Sequence, residues 1–267
     1  MYAFDYHKPS SVRQAVAMLA KSEDAKILAG GHTLIPTMKQ RLAAPSSLID
    51  LAALEDLKGI ERKGRSVVIG AMTTHGAVAS SEVVREAIPG LAELAEMIGD
   101  PAVRARGTIG GSVANNDPAA DYPAACLALG ATIVTNKRKI EADDFFTGMF
   151  DTALEEGEII TKVSFPVPAK AAYAKFRNPA SRYALAGVFV AKRGSEVRVA
   201  VTGAGANGVF RWSEAEAALK ERFKAKSLEG MTADASMMNS DIHADAQYRA
   251  HLVGVMARRA VDAATAR

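Results

Sequence analysis

The sequence predicts an α+β protein made of short strands and helices in two or three small units. The chain has 267 residues, of which 49% are hydrophobic and 24% are charged. These proportions are typical of a folded globular protein rather than a disordered or fibrous one. Strand and helix patterns alternate along the chain, and a closely spaced pair, Pro166 and Pro168, interrupts them. Two prolines this close end a strand and stiffen a connection, so we expect a boundary there.

The composition excludes several classes of function. Thirty-three Lys and Arg against 30 Asp and Glu give a net charge of +3, which is too weak a bias to indicate a nucleic-acid partner. One cysteine, Cys126, cannot form a disulfide or ligate an iron–sulfur cluster within the chain. The five histidines lack the spacing of metal ligands. No signal peptide is apparent, and no apolar run approaches the about 20 residues of a membrane helix. We therefore expect a cytoplasmic protein without a metal site or a transmembrane segment.

The first fifty residues predict a small βαβ-like unit. Residues 26–29 form a short apolar run that stops at two glycines, as a strand does before a tight loop. Residues 34–42 predict a helix that tolerates Pro36 only in its first turn, and residues 47–51 predict the next strand. The first predicted element is a helix that begins after Ser11, because four apolar residues lie on one helical face: Val12, Ala15, Val16 and Leu19.

The middle of the chain predicts a different mixture of elements, up to the proline pair. The predicted elements are a hairpin over residues 60–69, a long helix over 81–98, a second helix over 122–130, a second hairpin over 131–142 and a strand over 159–165. Residues 100–123 lose both periodicities and are rich in glycine, asparagine and proline. We expect a long loop there, and loops of this length are usually functional.

The last hundred residues predict a smaller α+β unit. Residues 185–192 and 196–204 surround a Gly-Ser turn and predict an antiparallel pair of strands. Helices are predicted over residues 213–223 and 246–266. The polar segment 227–245 between them is expected to be a surface loop.

Two glycine-rich segments are candidate phosphate-binding loops. Adjacent glycines let the backbone approach a ligand closely, and free N–H groups, a hydroxyl and a helix N-terminus attract anions. Either segment alone is more often a simple turn, and neither has the spacing of a Rossmann fingerprint or a P-loop. The pair indicates a cofactor that carries phosphate. The segments are Ala29, Gly30, Gly31, His32 and Thr33, and Thr108, Ile109, Gly110, Gly111 and Ser112.

These two segments resemble the FAD pyrophosphate loops of the flavin subunit of molybdenum hydroxylases, whose patterns are A-G-G-[HQ]-[ST] and T-[IV]-G-G-N. The resemblance extends over essentially the whole chain and is greatest to the carbon monoxide dehydrogenase branch of that family. It includes residues 4–9, 34–43, 68–74 and 117–121.

The resemblance implies a two-subdomain FAD-binding fold of the vanillyl-alcohol-oxidase type over residues 1–56 and 57–168. A smaller α+β flavoprotein domain over residues 169–267 would follow. The chain would be the FAD-binding electron-transfer subunit of a heteromeric molybdenum hydroxylase. A small partner subunit would supply 2Fe–2S clusters, and a large partner subunit would hold the molybdopterin cofactor. The family organisation implies a dimer of heterotrimers and allows a peripheral association of the complex with a membrane.

The resemblance also assigns residues to the cofactor. Both glycine segments would hold the pyrophosphate, and Tyr183 would lie near the isoalloxazine ring. No residue of this chain would act on the oxidised substrate. Two residues depart from the family pattern: Ser112 replaces the usual asparagine, and Arg182 stands where an aspartate is common. The remaining FAD contacts would be Asp121, Ile160 and Lys175.

The residues themselves leave simpler interpretations open. Asp121 has the position of a helix cap, Lys175 alternates like a solvent-facing strand residue, and Tyr183 is typical of a half-buried structural tyrosine. Two other functions also remain open. One is a free-standing flavin oxidase of the vanillyl-alcohol-oxidase type, although the roughly 100 residues after Pro168 are few for a substrate-capping domain. The other is a nucleotide-binding module or scaffold without FAD.

Overall fold

The computed structural model describes residues 1–266 and arranges their strands in four sheets. The strands are β1 (Asp5–His7), β2 (Lys26–Leu28), β3 (Ser47–Asp50), β4 (Ile60–Lys63), β5 (Ser66–Gly70), β6 (Thr132–Thr135), β7 (Lys139–Glu141), β8 (Phe146–Gly148), β9 (Asp151–Thr152), β10 (Ile160–Pro166), β11 (Lys170–Arg177), β12 (Ala184–Arg193), β13 (Glu196–Thr202) and β14 (Phe210–Arg211). The helices are α1 (Val12–Leu19), α2 (Leu34–Lys39), α3 (His75–Ser80), α4 (Glu82–Ala87), α5 (Pro89–Glu96), α6 (Pro101–Arg106), α7 (Ile109–Asn115), α8 (Tyr122–Leu129), α9 (Ala142–Phe145), α10 (Ser213–Glu221) and α11 (Ala246–Thr265).

The first sheet is parallel, with the strand order β1-β3-β2. The βαβ-like unit predicted from the sequence is present as β2, α2 and β3. The prediction that the chain begins with a helix is wrong, because β1 precedes α1 and pairs with β3. All three residues of β1 are at least partly exposed, so they show no apolar alternation. Parallel pairing with a strand forty residues away, rather than a local pattern, forms β1.

The second sheet has the order β4-β5-β10-β6-β7 and carries the largest hydrophobic cluster of the described chain. Its adjacent strands pair in antiparallel fashion. All eight residues of α8 are buried, and residues such as Leu91, Ile133 and Phe165 complete this core. Within residues 1–266, no helix is long and apolar enough to cross a membrane.

Two predictions for this region are wrong. The single helix predicted over 81–98 is two helices, α4 and α5, because Pro89 lacks an N–H and takes the first position of a new helix. The long loop predicted over 100–123 contains α6 and α7, whose first turns are capped by the side chains of Asp100 and Thr108. Helices of six and seven residues are too short to show a clear apolar period.

The third sheet has the order β11-β12-β13-β14. Helix α8 packs on β12 and β13, while α11 packs on β11 and β12. Eight consecutive residues of β12 are therefore buried. The segment 227–245 is less exposed than predicted, since Leu228, Ala233 and Met238 enter the core of this unit. The domain boundaries at residues 56 and 168 stay a prediction.

Candidate functional site

The fold brings the two glycine segments into direct contact. A Cβ atom at Gly30 would lie 2.3 Å from the carbonyl oxygen of Arg106 and 2.8 Å from the Cα of Gly107. A Cβ atom at Gly111 would lie 3.5 Å from the Cβ of Ala29. The first segment therefore lies against the residues that lead into the second, and only a residue without a side chain fits at position 30.

The first segment, 29–33, presents unused hydrogen-bond donors. It connects β2 to α2, and Gly31 has a φ of +76°, a conformation that favours glycine. The N–H groups of the four residues from Gly30 to Thr33 donate to no acceptor within residues 1–266. The Thr33 hydroxyl does not cap α2, and both His32 and Thr33 are exposed. This row of N–H groups at a helix start is suited to an anion.

The second segment, 108–112, uses most of its donors internally. The Gly110 N–H donates to the carbonyl oxygen of Ala71 at 2.8 Å, and the Gly111 N–H donates to Thr108 Oγ1 at 3.2 Å. The N–H groups of Ile109 and Ser112 are also bonded to backbone oxygens. The side-chain donor that this segment could offer a ligand is therefore the hydroxyl of Ser112, which is partly exposed.

A buried histidine braces the second segment from behind. The His75 N–H donates to the carbonyl oxygen of Gly107 at 2.9 Å, and a Cβ at Gly107 would lie 2.5 Å from His75 Nε2. Burial, with smaller contributions from His32 and Arg104, lowers the pKa of His75 to about 4. The sequence alone does not point to His75 as a site residue, because it lies in no recognisable motif.

Asp121 and Lys175 form a buried ion pair. Asp121 Oδ2 accepts a hydrogen bond from Lys175 Nζ at 2.9 Å, and the two side chains are 5% and 1% exposed. Tyr173 donates its hydroxyl proton to Asp121 Oδ1, and Lys175 also donates to the carbonyl oxygen of Met97 at 3.3 Å. Burial raises the pKa of Asp121, while the Lys175 ammonium and the Tyr173 hydroxyl lower it.

The structure changes two simpler interpretations of these residues. Asp121 does occupy the N-cap position of α8, but its side chain makes no cap hydrogen bond, because both of its oxygens are turned to strand β11. Lys175 does not face solvent, because its ammonium lies under the end of α5 and against Asp121. A two-residue alternation shows which face of a strand a residue occupies but not which helix covers that face.

Tyr183 lies in the loop between β11 and β12, near the ion pair. Its side chain is half exposed, at 51%. Burial of its other half, together with the charges of Asp117 and Asp121, raises the pKa of Tyr183. The loop is a compact turn in which Asn178 Oδ1 accepts from two backbone N–H groups. Arg182 has a φ of +64° and reaches the carbonyl oxygen of Gly99 at 3.4 Å. The turn therefore holds Tyr183 at the surface beside Asp117 and Asp121.

Ile160 differs from the other candidates because it is a core residue. It begins β10, is 5% exposed and belongs to the same hydrophobic cluster as Ile109. The next residue, Thr161, accepts a hydrogen bond from the Ala71 N–H at 2.9 Å. Ile160 is thus adjacent in sequence to the backbone that seats Gly110.

The residues present fit a dinucleotide that carries a diphosphate. The first segment offers unpaired N–H groups, and the contact at Gly30 leaves no room for a side chain between the two segments. Asp121 supplies a carboxylate that accepts hydrogen bonds, and Tyr183 supplies an exposed aromatic ring. A diphosphate requires donors, whereas hydroxyl and N–H groups elsewhere on a dinucleotide require acceptors.

Comparison with known proteins identifies the class. Residues 2–168 match the family described as the FAD binding domain in molybdopterin dehydrogenase. The chain therefore belongs to this family, and FAD is its cofactor. The predicted α+β fold with an FAD-binding region is confirmed.

Individual proteins with similar sequences or structures define the class of enzyme more closely. The chain is 39% identical over 281 residues to the carbon monoxide dehydrogenase medium chain of Hydrogenophaga pseudoflava, covering 99% of this chain and 98% of the relative. It is also 39% identical to the nicotine 6-hydroxylase medium subunit of Paenarthrobacter nicotinovorans, with the same coverage. A solved structure of reconstituted CO dehydrogenase from Oligotropha carboxidovorans superimposes with a TM-score of 0.90, at 39% identity, covering 100% of this chain and 99% of that one. The chain is a flavoprotein subunit of an oxidoreductase of the molybdenum hydroxylase type.

Proposed function

We propose that this chain is the electron-transfer subunit of a heteromeric molybdenum hydroxylase similar to carbon monoxide dehydrogenase. It would receive electrons from the 2Fe–2S clusters of a small partner subunit and pass them to an external acceptor. The observation that carries the proposal is the contact between the two glycine segments, where Gly30 lies against Arg106 and Gly107. The contact holds the free N–H groups of the first segment beside the second segment, an arrangement that is suited to a diphosphate.

The candidate residues divide into three tasks in this proposal. The first segment, 29–33, binds the pyrophosphate through its free N–H groups and the Thr33 hydroxyl, and the second segment, 108–112, seats it and adds the Ser112 hydroxyl. Asp121 orients the cofactor, with Lys175 neutralising its charge. Tyr183 lies near the ring system, and Ile160 supports the core below it.

The partners follow from what this chain lacks. Bound FAD supplies a centre that can take up electrons singly and give them up in pairs. A 2Fe–2S cluster requires several cysteine or histidine ligands, and the single Cys126 is buried in α8. The clusters would therefore belong to another chain, and the molybdopterin cofactor would belong to a further one. Three relatives that match over 98% of their length are named medium chains or medium subunits, which supports a small and a large partner.

The same proposal includes the organisation of the chain and of the complex. Residues 1–56 and 57–168 would be the two FAD-binding subdomains, and residues 169–267 the C-terminal flavoprotein domain. Each unit contributes most of one of the three hydrophobic clusters, which supports this division. The clusters also cross the boundaries: Leu57, Met72 and Ile159 join the first cluster, and residues of β11, β12 and β13 join the central one. The complex would be a cytoplasmic dimer of heterotrimers, in keeping with the single free thiol.

Purification of the native complex tests the proposal directly. We expect a visible flavin spectrum, iron and molybdenum in the same fractions, and one smaller and one larger chain on a gel. Turnover of a small organic substrate by the isolated chain with FAD alone would instead support a free-standing oxidase. A complex that contains no flavin and takes up none on titration would refute the proposal.

A further inference from the structure

The Asp121 carboxylate is held by two neighbouring residues of one strand. Tyr173 and Lys175 are two positions apart in β11, so their side chains lie on the same face of the sheet. The Tyr173 hydroxyl donates to Asp121 Oδ1, and the Lys175 ammonium donates to Oδ2 at 2.9 Å. Each carboxylate oxygen therefore has one protein donor and keeps lone pairs for a further hydrogen bond.

The position of the Tyr173 hydroxyl is tightly determined. Tyr173 is 4% exposed, and its ring stacks on Phe189 with the ring centres 6.1 Å apart. The hydroxyl lies over Gly187, where a Cβ atom would be only 2.2 Å from the oxygen. Gly187 is within an ordinary strand, so its missing side chain serves to make room for this hydroxyl.

We propose that Tyr173 is a positioning residue for FAD: its hydroxyl, seated over Gly187, holds the Asp121 carboxylate in the orientation in which its remaining lone pairs accept hydrogen bonds from the cofactor. The proposal rests on the FAD site proposed above and adds two residues to it. Lys175 supplies the positive charge that neutralises the carboxylate, whereas the Tyr173 hydroxyl fixes the orientation of the carboxylate. A lysine ammonium is a flexible point charge, so it cannot orient the carboxylate in the same way.

The charged and titratable groups around Asp121 determine how the proposal depends on pH. Burial raises the pKa of Asp121, and the charges of Lys175 and Arg177 from β11 and the hydrogen bond from Tyr173 oppose this shift. Tyr122 of α8 and Tyr183 of the β11–β12 loop also face the carboxylate. Removing the Tyr173 hydroxyl therefore raises the pKa of Asp121. Since a protonated carboxyl loses acceptor capacity, FAD affinity should begin to fall at a higher pH.

The test uses Tyr173→Phe in the native complex, stripped of flavin and titrated with FAD by fluorescence quenching across the acid range. We expect about tenfold weaker binding, the loss typical of one hydrogen bond to a charged group. We also expect the decline in affinity on acidification to begin at a higher pH than in the wild type. A purely structural role would weaken binding equally at every pH.

Tyr122→Phe is the matched control. Tyr122 is the residue after Asp121 and is fully buried, and its hydroxyl has no hydrogen-bond partner in the described chain. We expect it to bind FAD within about twofold of the wild type, because no hydrogen bond is lost. If Tyr173→Phe behaves like this control, or loses affinity with an unchanged pH profile, the inference is wrong.

Gly187→Ala tests the same contact from the other side. The new methyl group would displace the Tyr173 hydroxyl, so this variant should reproduce the pH profile of Tyr173→Phe. Both changes remove the same contact between the Tyr173 hydroxyl and Asp121. The double variant should therefore bind FAD no more weakly than whichever single variant has the lower FAD affinity. Losses that multiply would overturn the inference. If the wild type itself takes up no FAD, the proposed FAD site is wrong. If the wild type binds FAD but the variants do not behave as described, only the role of Tyr173 is wrong.

Discussion

The two glycine segments have similar sequences and opposite physical properties. In the first, 29–33, every residue is at least partly exposed, and the N–H groups of its last four residues donate to nothing within residues 1–266. The second, 108–112, is mostly buried, and its N–H groups bond to Ala71, Thr73 and Thr108. In the proposed site, the first segment would receive the pyrophosphate and the second would hold the first in place. A glycine pair alone does not show which of these tasks it performs.

The contacts of the glycines explain this difference. Gly30 is required by the carbonyl oxygen of Arg106, and Gly110 by Ala71, whose Cβ would lie 2.5 Å from a new Cβ. Both glycines therefore serve close packing within the chain. We interpreted them from the sequence as making room for a ligand, but Gly31, with its positive φ, is the one that shapes the open loop.

The largest expected effect tests whether the second segment is a rigid scaffold. In Gly110→Ala the new methyl group would meet Ala71 side-chain and backbone atoms at 2.5–2.9 Å. Overpacking of a buried backbone contact should lower the free energy of unfolding by about 3 kcal/mol, the upper end of the usual range, measurable by urea denaturation without FAD. Gly111→Ala, whose nearest neighbour is Thr108 Oγ1 at 3.0 Å, should cost much less. Equal stability of both variants would contradict the comparison.

The next prediction concerns acid sensitivity, which we assign to the second segment through His75. The pKa of His75 is about 4 in the folded chain and about 6.5 in the unfolded one. Between these values only the unfolded chain binds the proton, so stability falls as the pH is lowered from 6.5 to 4. The loss attributable to this group is about 3 kcal/mol in total.

His75→Gln removes that titration. The difference in unfolding free energy between the wild type and His75→Gln should be constant above pH 6.5 and should shift in favour of the variant below it. Thermal unfolding curves recorded at every half pH unit measure this difference. If the stabilities of the two proteins change in parallel down to pH 4, His75 is protonated in the folded chain and the prediction is wrong.

A smaller effect is expected where the two segments meet. In Gly30→Ala the methyl group would lie 2.3 Å from the Arg106 carbonyl oxygen and force the segments apart. We expect FAD affinity to fall by about tenfold or more, since even one lost charge-assisted hydrogen bond has this effect. Gly148→Ala is the control, because its nearest neighbour is 3.8 Å from the new Cβ. Unchanged FAD binding in Gly30→Ala would show that the contact between the two segments does not contribute to FAD affinity.

The smallest effects concern two threonines: substitution of one should affect stability, and substitution of the other should affect FAD binding. Thr108→Val removes the cap of α7 and should lower stability by about 1 kcal/mol. Thr33 caps nothing, so Thr33→Val should leave the stability of the flavin-free chain unchanged and weaken FAD binding by about 1 kcal/mol. Urea denaturation and FAD titration of both variants measure the four quantities. The opposite pairing would reverse the tasks assigned to the two segments.

Local signals in the amino-acid sequence were sufficient for much of the fold. The Ser11 cap of α1, the turn at Gly194 between β12 and β13, and the long helix α11 were predicted close to where they occur. These features depend on residues a few positions apart, whose periodicity and capping act within one helix turn or one strand pair. The glycine motifs likewise required only short stretches of sequence, whereas the family resemblance used motifs along essentially the whole chain.

Packing between distant parts of the chain settled the rest. Strand β1 exists because β3 pairs with it, and Lys175 is buried because α5 and Asp121 cover it. The unlike tasks of the two glycine segments depend on contacts with Arg106 and Ala71. Residues far apart in sequence leave no local period, so their contacts, and the chemistry that those contacts create, arise only when the sheets and helices close on one another.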